Sequence, residues 1–149
     1  MRRSAGLMLL ELLVVLVIVG ILTAVTVPAF RGLGSWQLRT ATHELAHRIR
    51  ETRQTAIACG LSCRVVFYEL SGMYRVVLPD GSEYIYMPEG ISYVANNFPE
   101  DNGRPTLSFR YTGAPNRGGH VGLGDTQGRK LYVIVTPVTG RVRIDTSPP

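Results

Sequence analysis

The sequence has few of the residues on which catalysis and metal binding depend. It contains two cysteines and three histidines, and it shows no glycine-rich phosphate loop, no nucleophile elbow and no cluster of two cysteines with two histidines. His43 and His47 are four residues apart, but no third metal ligand accompanies them. Asp80, Glu83 and Glu89 offer the oxygen ligands that calcium prefers, and we interpret them as scattered surface acids. We therefore expect no enzyme, no cofactor and no metal site.

Charged residues are absent from Leu12 to Phe30, which excludes an ordinary solvent-exposed helix there. The run is dense in Leu, Val and Ile on all sides and is long enough to cross a bilayer, which takes ~20 residues. A secretory signal is excluded because no Ala-x-Ala cleavage site follows the run. Arg2 and Arg3 precede the run and should hold the N-terminus in the cytoplasm. We predict a single-pass protein of the cytoplasmic (inner) membrane, with its C-terminal domain outside.

Glu11 is an acidic residue at the edge of this apolar run. A carboxylate forced to the centre of a bilayer costs roughly 2.5–3.5 kcal/mol, so such a residue usually has a partner. The segment from Gly6 to Val15, Gly-Leu-Met-Leu-Leu-Glu-Leu-Leu-Val-Val, resembles the type III signal of type IV pilins and pseudopilins. A short basic leader, a glycine, an apolar start, a glutamate, a long apolar run and a proline at its end all agree with that resemblance.

The resemblance implies a processed N-terminus. A prepilin peptidase would remove the leader, residues 1–6, by cutting between Gly6 and Leu7, and would methylate the new amine of Leu7. Glu11 would then be the fifth residue of the mature chain and would pair with the terminal amine of a neighbouring subunit. A buried charge is tolerated only with such a partner.

The resemblance also implies the role of the helix and its partners. Residues 7–30 would form the transmembrane and filament-core helix, with helix-loosening residues at Gly20 and Pro28. The expected partners are other major and minor pilins or pseudopilins, the prepilin peptidase, the membrane and the inner-membrane assembly platform. The assembled filament would lie in the periplasm or outside the cell.

Helical periodicity returns after Pro28 and predicts an amphipathic helix over residues 31–58, which Gly60 should end. We expect the opposite, basic face, which includes Arg48, Arg50 and Arg53, to be solvated. The predicted apolar stripe, which should pack on a sheet, consists of Leu38, Ala41, Leu45, Ile49, Thr52 and Ala56.

Cys59 and Cys63 follow this helix as Cys-Gly-Leu-Ser-Cys. A compartment outside the membrane can be oxidising, so a short-loop disulfide between them is a candidate. Free thiols are the alternative.

Glycine and proline are scarce before residue 58 and frequent after it, so we expect residues 59–149 to be rich in strands and turns. Residues 96–105 are expected to form a polar loop. The predicted strands are Arg64–Leu70, Met73–Leu78, Glu83–Met87, Ile91–Ala95, Thr106–Tyr111, His120–Leu123, Lys130–Thr136 and Arg141–Ile144.

The C-terminal half resembles the GspH/FimT group of minor pseudopilins. The resemblance rests on Phe109-x-x-x-Gly113, Gly118-Gly119-x-Val121-x-Leu123, the run Leu131–Val135 and Thr139-Gly140-Arg141-Val142-Arg143. It implies an α+β, pilin-like fold in which a long N-terminal helix packs on antiparallel β-sheets. The function implied is that of a minor pseudopilin or minor pilin, which primes or caps a filament for type II protein secretion or type IV pilus assembly.

Residues 104–143 hold seven basic residues and one acid, which is typical of a polyanion-binding or docking face. DNA binding for natural transformation, known among FimT-like minor pilins, is therefore an alternative function, and structural contacts are another interpretation of the same residues. A third alternative for the whole chain is a plain membrane-tethered β-domain that is not cut after Gly6. The candidate DNA contacts are Arg117, Arg129, Lys130, Arg141 and Arg143.

Overall fold

The computed structural model describes the backbone of residues 3–149 and the side chains of residues 9–23 and 34–149. The predictions for Gly6, Leu7 and Pro28 concern side chains outside these ranges. The chain divides into two compact units, Met1–Leu33 and Gly34–Pro149.

One α-helix, α1, extends from Arg3 to Cys59. In the first unit, the large apolar side chains between Leu9 and Leu22 are exposed. Among the described residues, no helix is both long and apolar enough to cross a membrane. The predicted span of residues 7–30 stays a prediction.

In the second unit, α1 is amphipathic, as predicted. All six residues of the predicted apolar stripe are buried, from Leu38 at 3% exposure to Ala56 at 0%. The helix ends at Cys59, and Gly60 follows with a φ of 67°, a left-handed conformation that terminates helices and favours glycine. The local sequence therefore specifies both the buried face and the end of this helix.

After the helix, the chain forms short strands in two antiparallel sheets. The first sheet has the order β3-β2-β1-β6-β5 and the second has the order β4-β7-β8-β9. The strands are β1 (Cys63–Tyr68), β2 (Met73–Leu78), β3 (Gly81–Tyr86), β4 (Ile91–Asn96), β5 (Glu100–Asp101), β6 (Arg104–Phe109), β7 (Gly119–Asp125), β8 (Lys130–Val135) and β9 (Val142–Asp145).

The helix and both sheets share one hydrophobic core. Phe67 of β1 stacks on Phe98 with ring centroids 5.6 Å apart and meets Tyr93 of β4 edge-on at 6.2 Å, so aromatic contacts join the two sheets. The fully buried large side chains include Leu45 and Ile49 of α1, Phe67 and Leu107 of the first sheet, and Leu123 and Val133 of the second.

One strand was not predicted. Residues 96–105 were expected to be a loop, but β5 lies within them and β6 begins at Arg104. Asp101 pairs with Arg104 across Asn102 and Gly103, both of which have positive φ, 53° and 72°. Asn-Gly is the preferred pair for such a two-residue hairpin turn.

Candidate functional site

The first candidate site is the apolar helix surface, which we define as residues 9–22. Its large apolar side chains are 45% to 67% exposed, and they lie on all sides of the helix. Nothing lies within 4 Å of the position that a Cβ at Gly20 would occupy. An apolar surface of this extent needs lipid or other apolar helices around it.

Glu11 lies within this apolar helix surface and is exposed in the single chain. Among the described residues, no basic side chain forms an ion pair with it. A carboxylate placed in this apolar environment requires a cationic partner, because desolvation of an unpaired charge is unfavourable. The pairing of Glu11 with the terminal amine of a neighbouring subunit stays a prediction.

The structure places two of the five basic residues that were predicted to contact DNA on loops that touch. Arg117 and Arg141 are exposed on two neighbouring loops, residues 110–118 and 136–141, which we call the basic loops. These loops touch, because a Cβ at Gly118 would lie 2.4 Å from Pro137 and one at Gly140 would lie 2.7 Å from the carbonyl oxygen of Gly113.

Arg143, in β9, is the third of the predicted DNA contacts that lies at this end of the second sheet. It is exposed and pairs with Asp145, with 3.7 Å between Nη1 and Oδ2. An exposed pair of this kind contributes little to stability. Arg143 therefore remains accessible to a ligand.

Arg129 and Lys130 lie at the other end of β8, next to its turn with β7. Their distance from the basic loops is roughly 17 Å along the strand, at about 3.3 Å per residue. Arg129 is also engaged within the fold, since its Nε donates to Asp125 Oδ2 at 2.5 Å. The five residues therefore do not form one surface.

Cys59 and Cys63 are both free thiols in the structure, so the candidate disulfide is not formed in it. Cys59 is exposed as the last residue of α1, whereas Cys63 is buried as the first residue of β1. Burial, and then the neighbouring Cys59, raise the pKa of the Cys63 thiol. Cys63 therefore behaves mainly as a core residue here.

The weaker metal candidates are dispersed over the surface. His43 and His47 lie on the exposed face of α1, and Glu83 pairs with Arg48 at 3.3 Å. Within residues 9–23 and 34–149, no three His, Cys, Asp or Glu side chains come together as metal ligands.

The basic face of α1 is less solvated than the sequence indicated. Arg53 Nε donates to the carbonyl oxygen of Gly113 at 3.0 Å, and Arg50 Nη2 donates to that of Val142 at 3.2 Å. These arginines attach the helix to the C-terminal half of the chain. Sequence periodicity missed them because their acceptors are backbone carbonyls 60 and 92 residues away.

A long N-terminal helix, antiparallel sheets on its second half and an exposed apolar surface on its first half together define the class of pilin-like proteins. Comparison with solved structures finds the minor pseudopilin EpsH from the type 2 secretion system of Vibrio cholerae. Its TM-score is 0.59 at 13% identity, over 74% of this chain and 97% of that one.

The type IV minor pilin FimU of Pseudomonas aeruginosa (strain PAO1) is a second similar structure. Its TM-score is 0.51 at 14% identity, over 74% of this chain and 88% of that one. No protein-family model matches the sequence, and no curated protein does either. The two structures show that the chain has the fold of minor pseudopilins and minor pilins, which confirms the predicted α+β, pilin-like fold.

Proposed function

We propose that this chain is a minor pseudopilin or minor pilin, a non-catalytic subunit of a filament that serves type II secretion or type IV pilus assembly. The observation that carries the proposal is the exposed apolar helix surface in a chain with the pilin-like fold. That surface gives the subunit a membrane anchor before assembly and a packing surface in the filament afterwards. The partners are other pilins or pseudopilins and the inner-membrane assembly platform.

Processing follows from the same proposal. Prepilin peptidase cuts between Gly6 and Leu7, and the amine of Leu7 is methylated. Before assembly, residues 7–30 hold the chain in the inner membrane, with the N-terminus in the cytoplasm and the β-rich domain outside. Gly20 and Pro28 loosen the helix so that it can bend within the filament.

Mass spectrometry of the chain purified from native membranes tests the processing. The expected N-terminus is Leu7 carrying one methyl group. A chain that still begins with residues 1–6 would contradict the proposal and favour a plain membrane-tethered domain.

The variant Glu11→Ala tests assembly. The carboxylate pairs with the Leu7 amine of a neighbouring subunit, and breaking a buried ion pair costs about 3–5 kcal/mol. We expect the variant to be inserted and cleaved but absent from sheared filaments, as measured by immunoblotting. Glu89→Ala, which removes an exposed carboxylate between β3 and β4, is the matched control and should enter filaments normally. Normal incorporation of Glu11→Ala would refute the assembly role.

DNA binding for natural transformation is the second candidate function, and the basic loops favour it. Arg117 and Arg141 are exposed there on loops that touch, and neither forms an ion pair with a described residue. Their guanidinium groups suit phosphate contacts, and each such contact releases counterions from DNA.

A gel-shift titration of duplex DNA at several salt concentrations, with the full chain in detergent, tests this second function. The logarithm of the DNA affinity falls linearly with the logarithm of the salt concentration, and replacing both Arg117 and Arg141 by Ala should make that slope shallower by about 2. Lys130→Ala, at the other end of the sheet, should leave it unchanged. Absence of binding by the parent chain at low salt would end the DNA hypothesis.

A further inference from the structure

The outward face of the first sheet carries tyrosines and arginines at positions that neither the resemblance nor the proposed function assigns. Strand register places Arg75 between Val66 of β1 and Tyr84 of β3, and it places Met73 between Tyr68 and Tyr86. Residues paired directly across antiparallel strands point to the same side of a sheet. Tyr68, Arg75, Tyr84 and Tyr86 therefore share one face, opposite the side that Phe67 and Tyr74 bury in the core.

Three of these side chains and the neighbouring Arg104 form a continuous row of planar groups. The guanidinium carbon of Arg104 lies 4.6 Å from the ring centroid of Tyr68. The rings of Tyr68 and Tyr84 are 6.0 Å apart, and the guanidinium carbon of Arg75 lies 5.6 Å from the Tyr84 centroid. Arg75 Nη1 also donates to the Tyr84 hydroxyl at 3.1 Å, which fixes the guanidinium beside the ring. We call Arg104, Tyr68, Tyr84 and Arg75 the planar row.

A polar cleft of about 110 Å³ lies beside this row, and three arginines line it. Arg64 is paired with Asp101 at 3.6 Å. In the part of the chain that the structure describes, neither Arg75 nor Arg104 forms an ion pair, and Arg75 Nε is buried without a hydrogen-bond partner. With one acid against three bases, the lining of the cleft favours an anion.

The neighbouring surface offers exposed aromatic faces. Tyr86 is 71% exposed and Tyr84 is 47% exposed, and both lie on the edge strand β3. An aromatic ring that projects from a sheet can stack on another planar ring, and a guanidinium group can do the same.

We propose that this face binds single-stranded nucleic acid, with a backbone phosphate in the arginine-lined cleft and bases stacked on Tyr84, Tyr86 and Arg104. Arginine groups suit phosphate oxygens, and tyrosine faces suit bases. Duplex nucleic acid fits less well because its base faces are already stacked on one another. The site lies on the outward face of the first sheet and shares no residue with the basic loops, the first of which runs from the end of β6 to the second sheet.

The test measures fluorescence anisotropy with the full chain in detergent. One probe is a labelled single strand of about ten nucleotides, within the range of site sizes for single-strand-binding folds. The second probe is an abasic strand with the same number of phosphates. Because stacking on an aromatic side chain contributes ~1–3 kcal/mol per base, the parent chain should bind the abasic strand at least about fivefold more weakly.

Three variants locate the site. Tyr86→Ala should weaken binding of the base-bearing strand about tenfold without changing binding of the abasic strand, whereas Tyr86→Phe keeps the ring and should retain affinity. Arg104→Lys keeps the charge in the cleft but removes the planar group, so it should weaken binding of the base-bearing strand more than binding of the abasic strand. Tyr86 and Arg104 are exposed, and circular dichroism will verify that the variants remain folded.

Replacing both Arg117 and Arg141 by Ala separates this site from the basic loops. That variant should still bind the base-bearing strand more tightly than the abasic strand, even if its affinity for both falls. Equal binding of the two strands by the parent chain, or no binding at low salt, would overturn the proposal. An oligouronate that carries the same number of negative charges is the competitor. If it displaces the base-bearing strand, the face binds acidic polysaccharide and the proposal is overturned.

Discussion

Asp125 organises the turn between β7 and β8. Its Oδ1 accepts hydrogen bonds from the backbone N–H groups of Gln127 at 2.9 Å and Arg129 at 3.0 Å, and its Oδ2 accepts one from Arg129 Nε. Burial acts to raise the pKa of Asp125, but these hydrogen bonds outweigh it and hold that pKa below its ordinary value. The ionised carboxylate is therefore part of the folded turn.

The lowered pKa predicts an acid-dependent stability. A carboxyl group with a depressed folded pKa stabilises the fold fully above its ordinary pKa of 3.8, and this stabilisation is lost as the pH falls through the folded value. Asp125→Asn should therefore lower the Tm near neutral pH, and its difference from the parent should shrink below about pH 3.8.

Thermal melts from about pH 7 to about pH 2 measure this effect. Asp145→Asn is the control, because the carboxylate of Asp145 is 38% exposed, pairs with Arg143 at 3.7 Å and accepts a hydrogen bond only from the adjacent backbone N–H of Thr146, at 2.8 Å. An exposed pair contributes little, so the control should change Tm slightly. A difference between Asp125→Asn and the parent that stays constant across this range would contradict the role of the ionised turn.

At the scale of elements, the side chain of Arg53 attaches the end of α1 to the basic loops, whose backbones pack closely on each other. Gly113 and Gly140 both have positive φ, 78° and 62°, and Arg53 donates to the carbonyl of Gly113. A Cβ at Gly140 would lie 2.7 Å from that carbonyl oxygen and 3.0 Å from Arg53 Nε. Glycine at position 140 therefore satisfies both a left-handed conformation and a close approach.

Gly140→Ala should destabilise the fold through both effects. The left-handed conformation alone costs an alanine roughly 1–2 kcal/mol, and displacement of the Gly113 carbonyl adds to that cost. Gly128→Ala provides the matched control, since Gly128 has a φ of 81° but nothing within 4 Å of its Cβ position. Urea unfolding of both variants should show a larger loss for Gly140→Ala. Equal losses would mean that the close approach contributes nothing.

At the scale of the whole molecule, the unit Gly34–Pro149 has one core to which α1 and both sheets contribute. Leu45 lies at 0% exposure in that core, among side chains from both sheets. No element of this unit buries its apolar face independently. Its unfolding should therefore be a single cooperative transition.

Leu45→Ala tests this cooperativity. Removal of a fully buried leucine should lower the free energy of unfolding by about 2–5 kcal/mol, and helix and sheet signals should shift together. Leu70→Ala is the control, because Leu70 is fully exposed and its loss should change stability by less than about 0.5 kcal/mol. Far-ultraviolet circular dichroism and tyrosine fluorescence measure the two transitions. Separate midpoints for the two signals would show that the core is divided.

Much of this architecture follows from local sequence patterns. The stripe from Leu38 to Ala56, the end of α1 before Gly60 and the predicted strands after it all correspond to elements of the structure. The missed strand β5 had a local signal too, since Asn102-Gly103 is the sequence of a tight hairpin turn. Alternation and turn residues specify elements because their effects act over a few residues.

The candidate sites also divide into features that local sequence predicts and features that depend on tertiary structure. Sequence alone determined the apolar helix surface, the unusual position of Glu11 and the resemblance that predicts cleavage before Leu7. Only the tertiary structure decided that the loops carrying Arg117 and Arg141 touch, that Arg129 is engaged by Asp125, and that Arg104 lies over the ring of Tyr68. The physical reason is register: which side chains meet depends on pairing between strands far apart in the chain, and a local pattern does not encode that pairing.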